Sequence, residues 1–359
     1  MRNALTIAAA TTALLLTLMP VGAQTTKDAH EDQVVVSMCP EGIMDTDVEL
    51  TVIVAPGQEE LGQKALKAGE AALRGVEAKM SSHLADTEIA AINKAEVDKE
   101  VPLSPEVVEV LRTSQAYTKA TDGSFDVTIR PLLQLWKRAG KAKRLPTDAE
   151  LAEARGQVGW ANFKLGDKGI TKLKDGASID LGGIAKKWGI DEAADAMIKT
   201  GVSGGLVNVG GDLRLFGEPK GHGKWQVGIK NPFEKDELVA TMSIKDGAVC
   251  TSGNYERFVT IDGKRYSHIV DARTGQPANA VPSVTVYGKT AVESGIWGTA
   301  LSMLGPEGLK LMPKDLDAML VVGAPGNYKF HYSDGFKKLL NELPEAPLPP
   351  LPTASAPAK

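Results

Sequence analysis

Aromatic residues are scarce in this chain, 5% of the total, which removes the stacking platforms that bind nucleic-acid bases. No basic excess compensates: 41 Lys and Arg stand against 45 Asp and Glu, for a net charge of -4. A nucleic-acid partner is therefore not expected. Cysteine is nearly absent, with Cys39 and Cys250 alone. A single pairing is the most they allow, and the sequence leaves it open. Cys250 lies in the apolar stretch "GAVCTSG" and reads as a small buried residue. Neither a G-x-G-x-x-G fingerprint nor a Walker loop accompanies the glycine pair discussed below.

Long apolar runs are missing except at the N-terminus, where Arg2 precedes "ALTIAAATTALLLTLM" and "VGA" precedes Gln24. A short positive region, an apolar core and small residues at the end are the pattern of a secretory signal peptide. The expectation is cleavage after Ala23 and a periplasmic or secreted protein. The run is too short and too broken by threonines for a spanning helix. Membrane association would then come only through an uncleaved signal or a partner.

Residues 24–33 are polar and read as an unstructured linker, and the Pro/Ala-rich 344–359 as a disordered tail. No repeat or internal linker interrupts 34–343, which reads as one globular body. "DVELTVIVA" alternates as a half-buried strand. Leu61, Ala65, Ala68, Ala72, Val76 and Met80 give a helical apolar stripe. A second helix starts at Ser104 as N-cap with Pro105 behind it, presents Val107, Val108, Leu111 and Ala116, and stops at Gly123.

The later chain turns to strands. Gly210 and Gly211 interrupt "GLVNVGGDLRLFG" as a bulge or a ligand's close approach. Trp225, Val227 and Ile229 alternate in another strand, and Asp262-Gly263 marks a hairpin. "PSVTVYG" is a strand and "GIWGTALSML" a last helix. Helices and strands mix without βαβ regularity, so the fold class is α+β.

Three places carry polar chemistry. In "SIDLGGIAKKWGIDEAAD" Gly182 and Gly183 expose backbone just before a helix that opens with two lysines and ends at Gly201. Such a helix start favours an anion by about 0.3–1 kcal/mol. In "TDGSFDVTI" Asp126, at the start of an extended run, faces a sugar hydroxyl or exocyclic amine, or caps a turn. In "RYSHIVDARTGQPA" His268 lies between strand and turn signals and is a candidate general base.

In order along the chain, "MDTDVELTVIV", "MSSHLADTEIAAIN", "GSFDVTIRPLLQLW", "IDLGGIAKKWGID", "LVNVGGDLRLFG", "TSGNYERF", "YSHIVDARTG", "SVTV" and "GTALSMLG" resemble the FAD:protein FMN transferase (ApbE) family, from Met44 to about residue 330. The resemblance implies an exported α+β enzyme with a T-fold-related body of helices and antiparallel strands. It implies cleavage of the FAD diphosphate, transfer of FMN to a threonine of an acceptor protein, release of AMP, and a divalent metal, usually Mg2+. Two other readings share the fold: a flavin carrier or assembly factor without transfer, and an FAD pyrophosphatase.

Carried over position by position, the resemblance implies that Met44, His83, Ser124, Phe125, Asp126, Gly182, Trp188 and Ile269 line the flavin nucleotide. It makes His268 the base, and makes the Ala185 carbonyl and Thr299 metal ligands. This chain departs from the family pattern at Asp45, where glycine is usual, and at His83 and Trp188, where tyrosine is. Lys187 replaces a glycine, and Gly295 replaces the aspartate that would share a helix face with Thr299. Glu293 would reach that face only if the helix began after it.

Overall fold

In a computed structural model that describes residues 33–219, 223–253 and 258–345, the chain enters on β1 (Val34–Met38) and β2 (Val48–Val54) and continues into α1 (Glu59–Met80). A helical region follows, with α2 (Glu88–Lys94), β3 (Glu100–Pro102), α3 (Pro105–Ala120), α4 (Arg130–Ala142), α5 (Asp148–Gly156), β4 (Phe163–Leu165) and β5 (Gly169–Lys172). Next come α6 (Ala185–Ile198), the hairpin β6 (Gly204–Val209) and β7 (Asp212–Gly217), and the ribbon β8 (Trp225–Lys230) and β9 (Leu238–Ile244). The chain closes through β10 (Gly247–Gly253), the hairpin β11 (Phe258–Ile261) and β12 (Lys264–Ser267), β13 (Ser283–Gly288), α7 (Ala291–Leu304), β14 (Asp317–Ala324), β15 (Asn327–Tyr332) and α8 (Asp334–Leu339). Residues 1–32 and 346–359, with the expected signal peptide, nearly all of the linker and most of the tail, lie outside the described residues, as do 220–222 and 254–257 in the "TSGNYERF" block.

An eight-stranded sheet in the order β1-β2-β6-β7-β10-β13-β14-β15 forms the centre, and its neighbouring strands are antiparallel. α1, α6 and α7 pack on it, and α1 lies along α6. Mixed helices and antiparallel strands thus make one body. No helix among the described residues is long and apolar enough to cross a membrane.

The periodic segments fold as their spacing predicts. α1 buries Ala65, Val76 and Met80, and β8 alternates buried and exposed residues. Asp262 and Gly263 both take positive φ in the turn between β11 and β12. Gly123 and Gly201 adopt left-handed backbone just past α3 and α6.

Several local readings change. β2 is not half-buried: Leu50 and Val52 face one core and Ile53 another, so both surfaces are covered. Ser104 stands at the head of α3, but its hydroxyl makes no cap hydrogen bond; its backbone N–H donates to Glu88 Oε2 at 2.7 Å. Ala116 lies on the exposed side of α3, while Ser114 is buried with its hydroxyl donating to the Val110 carbonyl. Residues Val127–Ile129 form a turn of 3-10 helix leading into α4, not an extended run. Gly210 and Gly211, both at positive φ, are the two-residue turn joining β6 and β7 rather than a bulge, as a primed hairpin turn requires. Cys39 is exposed and Cys250 buried, and both are free thiols; burial pushes the Cys250 thiol well above its usual range.

The last helix begins one turn earlier than its apolar run suggests. Thr290 caps it by accepting the Glu293 N–H at 3.2 Å. Asp191, on α6, accepts the N–H groups of Ala291 at 2.8 Å and Val292 at 2.9 Å. Burial raises the Asp191 carboxyl from 3.8 to about 6 despite these bonds and the nearby Arg214. A carboxyl raised on folding contributes stability that is complete below its unfolded value and lost as pH climbs through the folded one. Replacing Asp191 by Asn should therefore flatten the fall in melting temperature between pH 3.8 and about 6, measured by thermal denaturation of both proteins across that window.

Candidate active site at the start of the sixth helix

Ile179 to Lys187 is the corner where the helical region meets the main sheet. Its approach is fixed by polar braces rather than by caps. Asn93 accepts the Ile179 N–H at 2.7 Å and donates to the Ile179 carbonyl at 2.8 Å. Asp180 accepts from the Gly182 N–H at 2.8 Å, Ser82 Oγ at 3.1 Å and Arg130 at 3.2 Å. One carboxylate thus fixes the glycine turn, the loop after α1 and the start of α4. No side chain caps α6 itself, so its N-terminal end keeps the partial positive character of an open helix start.

The two lysines at this helix start converge on Asp212, which is 2% exposed. Lys186 Nζ lies 2.9 Å and Lys187 Nζ 3.6 Å from Asp212 Oδ2. The Thr251 N–H donates to the other carboxylate oxygen at 3.0 Å. Burial alone would raise this carboxyl. The ammonium groups of Lys187 and Lys186 and the Thr251 bond overcome that and hold it below its usual value. No role was expected of Asp212 from sequence. A charged residue directly after a glycine turn and before a strand of apolar residues was the available signal.

Met44, Phe125, Ala185 and Trp188 pack into one hydrophobic cluster with Leu181, Ile184 and Ile296. The Phe125 ring lies against Gly183, where a Cβ would come within 3.0 Å of it. Ser124 is buried and its hydroxyl donates to the Thr121 carbonyl at 2.6 Å. Trp188 Nε1 is buried with no hydrogen-bond partner among the described residues, an orphan donor of the kind a bound acceptor satisfies.

Asp126 caps the 3-10 turn, accepting the Thr128 N–H at 2.8 Å and its hydroxyl at 2.7 Å. Burial nevertheless raises its carboxyl. The same residue lines a shallow, open cleft of about 510 Å³ with Gly123, Arg155, Gly159 and Arg273. His268 is exposed in the bend after β12, and Ile269 beside it is buried. Their following turn, where Arg273 pairs with Asp271 at 2.7 Å, borders the cleft through Arg273. His83 is exposed in the loop between α1 and α2.

Thr299 is half-buried on α7, with its hydroxyl donating to the Gly295 carbonyl at 3.1 Å. Glu293 sits in the first turn of the same helix, held by Thr290 at 3.1 Å and Tyr117 at 3.3 Å. It does not reach the face shared by Gly295 and Thr299, because the helix has already begun.

The sequence profile of the ApbE family matches residues 44–320. The chain belongs to the ApbE family. It is 30% identical over 276 residues to the FAD:protein FMN transferase of Vibrio cholerae, covering 75% of this chain and 83% of that one. With the Escherichia coli K12 protein of the same name it shares 29% identity over 73% of this chain and 77% of that one. Among solved structures, the ApbE protein of Thermotoga maritima superposes with a TM-score of 0.76 at 28% identity, over 86% of this chain and 100% of the other. The flavin transferase ApbE of Vibrio cholerae gives 0.73, also at 28% identity, over 86% and 99%.

The structure also accounts for one departure from the family pattern. Asp45 adopts φ of 50°, after Met44 at 53°, a left-handed conformation that glycine takes freely and aspartate tolerates. An Asp45→Gly variant should gain up to about 1 kcal/mol in stability, read as a shift in the midpoint of urea denaturation.

Proposed function

We infer that this chain is an FAD:protein FMN transferase. The reading is carried by the corner at the start of α6, where Gly182 and Gly183 precede a helix whose first two lysines share one buried carboxylate. Such a corner suits a diphosphate, whose developing charge must be neutralised during phosphoryl transfer. The orphan Trp188 donor and the Phe125 ring beside the glycine turn support a bound dinucleotide there. In this reading the acceptor threonine Oγ attacks the FMN-side phosphorus, the anhydride P–O bond breaks, AMP leaves with the bonding electrons, and His268 takes the hydroxyl proton.

Magnesium does not fit the residues at this corner. Gly295 offers no carboxylate, the Lys187 stem covers it, and Asp212 is committed to two ammonium groups and a backbone N–H. In this reading Ala185 packs at the corner and Thr299, whose hydroxyl donates to the Gly295 carbonyl, stands on α7; neither serves as a ligand.

Incubation with FAD and an acceptor domain should add the mass of FMN to one acceptor threonine, read by intact-protein mass spectrometry. The His268→Ala variant should bind FAD normally and transfer about 10²–10⁴-fold more slowly. FAD retained without transfer would mark a carrier instead, and AMP with free FMN in the absence of acceptor a pyrophosphatase.

Export belongs to the same reading and rests on the first 23 residues. N-terminal sequencing of protein recovered from a periplasmic extract should begin at Gln24, and an intact Met1 would refute it.

A further inference from the structure

Gly295 lies on the face of α7 turned toward α6. A Cβ placed on it would come within 2.5 Å of Lys187 Cγ and Cε and 2.9 Å of Cδ. Atoms this close cannot coexist, so no larger residue fits at 295 while Lys187 keeps its course. The lysine side chain is only 11% exposed. It runs across the bare helix surface and delivers its ammonium group to the buried Asp212. Lys186 reaches the same carboxylate, so two ammonium groups from the first turn of α6 share one carboxylate.

The family resemblance assigns the opposite pair to these positions, a small residue at 187 and a carboxylate at 295. Here volume and charge are both exchanged across the α6–α7 contact. The carboxylate that would hold a cation is gone, and a cation carried by the chain itself fills its space.

We propose that Lys187 is a built-in substitute for a divalent ion, so that this chain holds the diphosphate of FAD at the α6 corner without metal. The proposal rests on the transferase reading above. It leaves the bonds made and broken in transfer as they were written there. An ammonium group acts on phosphate oxygens as a point charge with three rotatable donors, which neutralises charge without entering the reaction.

The test uses the full chain as wild type, as Lys187→Met, and as the double variant Lys187→Gly with Gly295→Asp. Mn2+ alone is titrated by electron paramagnetic resonance, and FAD affinity is measured by fluorescence in EDTA and in magnesium. Wild type should show no saturable Mn2+ site, and its FAD affinity should agree within about twofold between the two buffers. Lys187→Met should lose about tenfold or more in both. The double variant should gain a saturable Mn2+ site and an FAD affinity that rises about tenfold or more with magnesium.

Magnesium-dependent FAD binding by wild type overturns the proposal and leaves the transferase reading standing, as does unchanged binding by Lys187→Met. No FAD binding by wild type in either buffer overturns both. If the double variant fails to fold by circular dichroism, the wild-type titrations and Lys187→Met decide the matter.

Discussion

A carboxylate removed from water at the centre of the molecule sets the terms for everything around it. Asp212 is almost fully buried, and an unpaired charge in such a place costs several kcal/mol. Its partners come from α6 and β10: two ammonium groups on one oxygen and the Thr251 N–H on the other. Helix, hairpin and central strand are thereby held in one arrangement. The Gly210–Gly211 turn that leads into Asp212 is packed against Thr46 and Lys186, so the opening loop is fixed to the same point. Removing Asp212 would leave two part-buried ammonium groups without the carboxylate they share, which destabilises the arrangement.

A second carboxylate does comparable work on the other side of the glycine turn. Asp180 gathers Ser82, Arg130 and the Gly182 N–H, so the backbone that faces the corner is braced from three directions. Between the two acids runs the start of α6. The helix has no side-chain cap of its own; the braces at Asp180 and Asp212 and the core packing of Ile184 and Ile190 hold its start in place.

Local patterns were legible because local physics produces them. The stripe of α1, the alternation of β8 and the Asp262-Gly263 turn each depend on neighbours a few residues away. The order of motifs along the chain was enough to point to the family. What the sequence hid depends on distant partners. β2 is buried on both faces because it lies between two cores. The 3-10 turn after Phe125 forms around the Asp126 carboxylate, a short-range bond that periodicity does not register. The early start of α7 was half legible, since Thr290 and Glu293 have capping-box spacing, but its other support, Asp191, comes from α6. Met44, Phe125, Ala185 and Trp188 share one hydrophobic cluster and Asp126 lines the cleft, while His83 and His268 are exposed on separate loops. Asp212 and the contact of Lys187 with Gly295 join segments far apart in the chain, and no window of sequence contains both members.

The close fit of the Lys187 stem over Gly295 also constrains how such a protein can change. A side chain at 295 would meet the Lys187 stem with its first carbon, so an acid regained there requires the lysine to leave its present course. If the lysine shrinks first, the resulting glycine pair holds neither an attached charge nor a ligand for a borrowed one. Each single-step route between the two arrangements therefore passes through either a displaced lysine or a vacant, undercharged pair.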